Sequence, residues 1–395
     1  MTNFFKTYTL QFWLLCFSSY LFFASFNMII PELPEYLTSL GGAEYKGFII
    51  AVFTLTAGIS RPFSGKLTDK VGRIPVMVIG ASVCFFVGFM YPLITSIAGF
   101  FLLRLIHGFS TGFKPTGTVA YVADIIPFER RGEAMGISGV FGTMGMASGP
   151  AIGSEITLHF SLDTMFYCSS ALAITSILIL IGMKETLANP ERFRPSHLLI
   201  KKDEIYDLDA IPPSIVMAFT VFSFGIVLTI IPDFSVFLGL ENKGLFFTVF
   251  TISSLAVRIL AGKVSDKYGR EKVLIVSSSL YILGMLIIGL SQNLWMFFSG
   301  AIVFGFATGM NSPTLFAWTA DLSQEKFRGR AMATVFIALE VGIMMGALVS
   351  GWVYANKSEN FPITFFSGSM VAGVAWIYLL VRLNRRRKAI GMEVR

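Results

Sequence analysis

Charged side chains set inside long apolar runs have the most chemistry to offer in this chain, and that chemistry is the binding and exchange of protons and small charged molecules. Glu340, Arg104, Lys114 and His107 all fall in such runs, with Asn27 and Asn311 as uncharged polar companions. A charged residue in a membrane-length segment is costly and generally faces the protein interior or a wet cavity. Glu340 stands 11 residues into its run, about 16 Å from the start at the helical rise, and Lys114 lies about 12 Å from one end of its own. At that shared depth a carboxylate is neutral or charged according to its neighbours. Glu340 is expected to bind a proton, with Lys114 as counter-charge or as anchor for an anionic group. A static ion pair is the alternative. Glu32 and Asp233, beside Pro31 and Pro232 at the outer ends of two further runs, are additional candidates for proton coupling or simply face an outer vestibule. Enzyme signatures are missing: the histidines are His107, His159 and His197, without metal-ligand spacing, and neither a phosphate-binding glycine loop nor a nucleophile elbow occurs. No metal and no cofactor is expected, and a membrane-embedded enzyme is disfavoured.

The elements that must position these residues are membrane spans. Of 395 residues, 54% are hydrophobic and only 14% charged, with a mean hydropathy of +0.70, whereas soluble domains carry roughly a quarter charged residues. Twelve runs of membrane-crossing length lie at 10–31, 46–67, 74–94, 97–121, 133–157, 163–183, 213–234, 243–263, 272–291, 293–317, 329–354 and 362–382. The first is too long for a signal-peptide core and lacks a small-residue cleavage site, so it is expected to stay as a helix. The formal charge of +7 raises nucleic acid as a partner, but the placement of the charge argues for a lipid bilayer instead. With the N-terminus inside, 24 of the 31 Lys and Arg fall in inner segments, only Lys46, Lys243 and Lys357 in outer loops, and Arg61, Arg104, Lys114 and Arg258 within runs. That asymmetry predicts both termini in the cytoplasm. Cys16, Cys84 and Cys168 are scattered through apolar runs and make neither a disulfide framework nor a metal site.

The chain also repeats itself. The stretch Arg61–Arg73 has a near copy at Arg258–Arg270, 197 positions later, sharing the glycine, aspartate and closing Gly-Arg pair. Each copy reads as a short charged turn between two spans. Gly65 would allow close helix approach and Gly72 would tolerate positive φ, and Asp69 and Arg73 meet on one face if the turn is helical. At the same offset Val52, Phe53 and Thr54 match Val249, Phe250 and Thr251, and Gly108 matches Gly305. The prediction is an all-α membrane protein of two six-helix bundles, residues 1–183 and 213–395 with a basic tail, joined by a cytoplasmic linker at 184–212. An even number of spans per half makes the repeats parallel, related by a pseudo-two-fold axis along the membrane normal, with a substrate site expected between them near the midplane.

The duplicated G-x-L-x-D-x-x-G-R pattern resembles the signature loop of the major facilitator superfamily of secondary transporters. The resemblance implies a conformational latch made by Gly65, Asp69, Gly72, Arg73 and Asp124, with Asp266 and Arg270 in the second copy. A solvated loop that only sets topology is the other reading. Arg104 and Gly108 resemble the family's R-x-x-x-G motif, which implies a part in proton transfer or a structural arginine bonded to helix carbonyls. His107 beside it is a packed neutral histidine or a contact for substrate or protons. Gly145, Gly149, Pro150 and Gly153 are similar to the glycine-proline motif of the antiporter branch, with Ser154 in place of its last glycine, and as a small-residue stripe they also pack helices. Lys114 and Asn311 occupy equivalent positions in spans that line the central cavity in this family, together with Asn27 and Glu340. The resemblance therefore implies a monomeric, proton-coupled antiporter in the cell (inner) membrane, exporting drug-like small molecules without nucleic acid or cofactor. Its closest rival is an uptake symporter for a sugar, peptide or organic anion.

Overall fold

Apolar runs of membrane length, broken by short polar turns, leave helix as the conformation that meets every backbone hydrogen bond internally. The computed structural model describes residues 8–127, 130–199, 206–324 and 328–393, and among them all regular structure is helical. In chain order the α-helices are α1 (Leu10–Met28), α2 (Leu33–Ser39), α3 (Lys46–Lys70), α4 (Arg73–Met90), α5 (Ile97–Ile125), α6 (Arg131–His159) and α7 (Leu162–Ile181). They continue as α8 (Ile211–Phe237), α9 (Leu245–Tyr268), α10 (Arg270–Gly289), α11 (Leu294–Leu322), α12 (Arg328–Tyr354) and α13 (Phe361–Glu393).

Each predicted run contains one long helix. Nine helical stretches among the described residues are long and apolar enough to cross a membrane, and α5, α6 and α9 occupy predicted runs without meeting that measure. Two starts repeat at the internal offset: Ser96 accepts from the Gly99 N–H at 3.2 Å to cap α5, and Asn293 accepts from the Met296 N–H at 3.0 Å to cap α11. The first run corrects the expectation. Pro31 and Pro34 remove backbone donors, so a 3-10 turn at Ile30–Glu32 and the short helix α2 continue what was expected to end at residue 31.

The chain forms two compact units: Met1–Glu204 with Glu241–Thr248, and Ile205–Leu240 with Val249–Arg395. In the first, α1 packs on α6 and α7, α3 on α5, and α4 on α5 and α7. In the second, α8 packs on α12 and α13, and α10 on α11 and α13, so several neighbour relations of the first unit recur. The first half of the predicted linker, up to residue 199, goes with unit 1, while Lys201–Glu204 lie outside the described residues.

Candidate functional site

The signature stretch is mostly helix, not turn. Helix α3 runs on to Lys70, the chain reverses at Val71 and Gly72, and α4 starts at Arg73. Gly72 has φ 143° and Gly269 in the copy has φ 93°, a region open to glycine and strained for other residues. Gly65 departs from expectation: it sits inside α3, and a Cβ there would meet nothing within 4 Å. It packs no helix in this structure.

The reversal between α3 and α4 brings the predicted charges together. Arg73 Nε donates to Asp124 Oδ2 at 3.0 Å, and Arg73 Nη1 lies 3.5 Å from Asp69 Oδ1. The Asp69 side chain is 75% exposed, so the Asp124 contact is the stronger of the two by burial. Two residues that the sequence reading passed over complete the cluster. Thr186 Oγ1 donates to Asp124 at 2.6 Å, and Glu185 accepts from the backbone N–H groups of Arg73 and Ile74 at 3.1 and 3.0 Å, satisfying orphan donors at the start of α4. In unit 2, Arg270 pairs with Asp266 and donates to Asp321 at 2.9 Å. Asp321 lies at the 197-residue offset from Asp124, a signal already present in the sequence.

Along α5 the predicted polar residues are deeply buried. Arg104 is 0% exposed; its Nε donates to the Ile49 carbonyl at 2.9 Å and its guanidinium lies 4.6 Å from the Phe53 ring centre. His107 is held by the Phe26, Phe53 and Tyr91 rings, with Nε2 at 3.3 Å from Cys84 Sγ. Lys114 is also 0% exposed; it donates to Ser19 Oγ at 2.9 Å and lies over the Phe22 ring. Asn27 spends its amide donor on the Phe23 carbonyl of its own helix at 2.7 Å. In unit 2, Asn311 donates to Thr220 Oγ1 at 2.9 Å, Glu340 is buried at 7% exposure and Asp233 is half-buried.

The glycine stripe is a packing surface within unit 1. A Cβ at Gly145, Gly149 or Gly153 would come within 2.6 Å of the Tyr20, Ala24 or Met28 carbonyl, so α6 lies against α1 backbone to backbone. Gly108 does the same between α5 and α3, where a Cβ would sit 1.9 Å from Thr56 Oγ1 and 2.2 Å from the Phe53 carbonyl. Gly108→Ala is therefore expected to destabilise the protein by about 1–3 kcal/mol. Gly65→Ala, in open space within a helix, is expected to stabilise it by up to about 1 kcal/mol. Thermal unfolding of the two purified variants checks the pair, and shifts of the same sign would contradict it.

At Pro150 the stripe meets residues from later in the chain. A Cβ at Gly244 would lie 2.1 Å from the Pro150 carbonyl, Thr248 Oγ1 donates to the Ala147 carbonyl at 2.5 Å, and Asn242 donates to Glu155 at 2.9 Å. This docking buries Lys243. Glu32, expected at an open vestibule, is instead 2% exposed and accepts from Lys243 Nζ at 2.9 Å and from Ser154 Oγ at 2.6 Å, with Glu35 also paired to Lys243. Burial works against the charge on Lys243, but Glu32 and then Glu35 outweigh it and hold the ammonium above its usual range. Among the described residues no group of three or more His, Cys, Asp or Glu is placed to hold a metal ion.

Comparison with known proteins puts these features in context. The chain matches the family model described as Major Facilitator Superfamily over residues 13–242 and 213–393. It is 25% identical over 390 residues to the quinolone resistance protein NorA of Staphylococcus aureus, covering 96% of this chain and 98% of that one. It is 26% identical over 389 residues to the multi-drug resistance efflux pump PmrA of Streptococcus pneumoniae, covering 93% and 94%. Its fold resembles the crystal structure of the peptide transporter POT with a TM-score of 0.79 at 14% identity, covering 95% of this chain and 94% of that one.

Proposed function

This chain belongs to the Major Facilitator Superfamily of transporters, and we propose that within it the protein is a proton-driven antiporter exporting small amphipathic or drug-like molecules by alternating access. The observation that carries the proposal is the match, along 96% and 93% of the chain, to relatives named for quinolone resistance and multidrug efflux. The glycine-proline stripe of the antiporter branch, here Gly145, Gly149, Pro150 and Gly153, supports the outward direction. In this reading all twelve long helices span the cell membrane as six-helix bundles of residues 1–183 and 213–395, with the 184–212 linker and both termini in the cytoplasm. The protein works as a monomer on small molecules and protons.

The roles follow from burial and charge. Asp69, Arg73 and Asp124, and in the second copy Asp266, Arg270 and Asp321, are ion clusters that exist in one conformation and separate in another, which is how charge pairs make a transition two-state. Lys114, His107, Asn27 and Asn311 contact substrate. Glu340 carries the coupling proton, with Glu32, Asp233 and Arg104 as the other titratable or charged groups available to the pathway. Buried carboxylates are suited to this because a proton changes them from a charge that needs a partner to a neutral group that does not.

Proteoliposomes with an imposed pH gradient test the direction. For an antiporter, an acidic lumen drives substrate inward as protons leave, whichever way the protein is inserted. Accumulation under an acidic exterior instead would assign symport and overturn the proposal.

A further inference from the structure

Two basic side chains lie buried inside unit 1 with no ion-pair partner among the described residues. Arg104 and Lys114, both on α5, are 0% exposed. Among the described acids of this unit, Glu32 is committed to Lys243 and Ser154, Asp124 to Arg73 and Thr186, and Glu185 to the start of α4, and none pairs with Arg104 or Lys114. Lys114 has Ser19 Oγ as an acceptor. Arg104 is worse supplied. Its Nε meets the Ile49 carbonyl, but among the described residues Nη1 and Nη2 make no hydrogen bond of good geometry, and neither does the Tyr91 hydroxyl, which lies beside the guanidinium, or His107 Nδ1.

These orphaned atoms belong to side chains packed against one another. The Arg104 guanidinium lies over Phe53, and the His107 ring is 5.7 Å from Phe53 and 6.3 Å from Tyr91, centre to centre. Three of the orphans, the two guanidinium nitrogens and the tyrosine hydroxyl, can donate. Buried donors on a cation are among the most costly to leave unmet, and a buried charge is normally paired. Neutral water would meet the hydrogen bonds and leave the charge, whereas an anion meets both.

From this convergence we infer that unit 1 holds a small monovalent anion, of which chloride is the test case, bound by Arg104 and the Tyr91 hydroxyl beside His107. The aromatic lining of Phe53, Phe26 and Tyr91 favours a weakly hydrated halide over a strongly hydrated, divalent ion, and one guanidinium balances one negative charge. The anion would act as a fixed counter-charge that orders α5 against α3 and α4. The inference stands independently of transport direction and of any part Arg104 has in coupling.

The test is anion-dependent stability of the full-length protein in detergent. Replacing sodium gluconate by sodium chloride at constant ionic strength is expected to raise the thermal midpoint in a saturable manner, with bromide acting likewise. Arg104→Gln is expected to abolish the response, and Tyr91→Phe to shift the half-saturating chloride concentration upward several-fold. Crystals grown in bromide should give an anomalous peak beside Arg104, a readout that survives if either variant fails to fold. Equal midpoints in chloride and gluconate, a halide response unchanged in Arg104→Gln, or bromide crystals without a peak at Arg104 would each overturn the site and leave water as the occupant.

Discussion

Lys243→Met is expected to be among the most destabilising single changes in this protein, at about 3–5 kcal/mol. The substitution preserves most of the side-chain volume and removes the ammonium, leaving Glu32 2% exposed with Ser154 as its remaining observed partner. Glu35 contributes little to the loss, because its side chain is 74% exposed and its pairing with Lys243 is screened. The double variant Lys243→Met with Glu32→Gln is expected to recover most of the stability, since an uncharged amide needs no counter-ion. In the wild type Lys243 is held above the ordinary value of 10.5, so the lysine's contribution is complete below that pH and is lost only as pH climbs past the raised value. Denaturation of the four proteins of this cycle at two pH values measures the effect. A single variant as stable as wild type, or a double variant no better than the single, would show the cluster to be energetically idle.

That cluster also marks where sequence reasoning stopped. Glu32 was legible as a carboxylate beside a proline at a span end, but Lys243 looked like any outer-loop lysine, because nothing local encodes that residues 241–248 pack on α6. Ser154 was visible only as a departure from a glycine motif. Its hydroxyl donates to Glu32, so the departure supplies a hydrogen bond that glycine lacks. The charge clusters at the two helix-to-helix reversals were more readable, since Asp69 and Arg73 stand four residues apart and the pattern recurs 197 residues later. The same offset applied to Asp124 points to Asp321, a step that needs the repeat and no coordinates. Glu185 was out of reach for another reason. Its partners are backbone N–H groups of Arg73 and Ile74, which no residue type announces. Gly65 was misread because helix packing was inferred from a small residue, whereas the packing glycines are those whose absent Cβ faces another backbone.

Glu340→Gln is expected to collapse proton-driven accumulation while leaving substrate exchange within a few-fold of wild type. Glutamine keeps the size and hydrogen-bonding shape of the side chain but cannot take up a proton. Glu340 is buried at 7% exposure on α12, 12 residues from the start of that helix at Arg328, or about 18 Å along it. An ionisable group at such depth is costly, which makes function the default explanation for its presence. A two-unit pH gradient carries up to about a hundredfold accumulation per coupled proton, since one unit corresponds to a factor of ten. If Glu340 is the proton carrier, its variant should fall to roughly no accumulation under the same gradient, because substrate then moves without a proton to pull it. Counterflow, in which labelled substrate exchanges for unlabelled without net proton movement, separates coupling from binding. Loss of both activities would place Glu340 in substrate recognition, and retained accumulation would pass the coupling role to Asp233 or Glu32. Lys114→Met, made in parallel, distinguishes the two roles left open for Lys114. Weaker counterflow restricted to anionic substrates marks it as their anchor. Unchanged counterflow combined with altered pH dependence of accumulation marks it as the counter-charge that sets when Glu340 releases its proton.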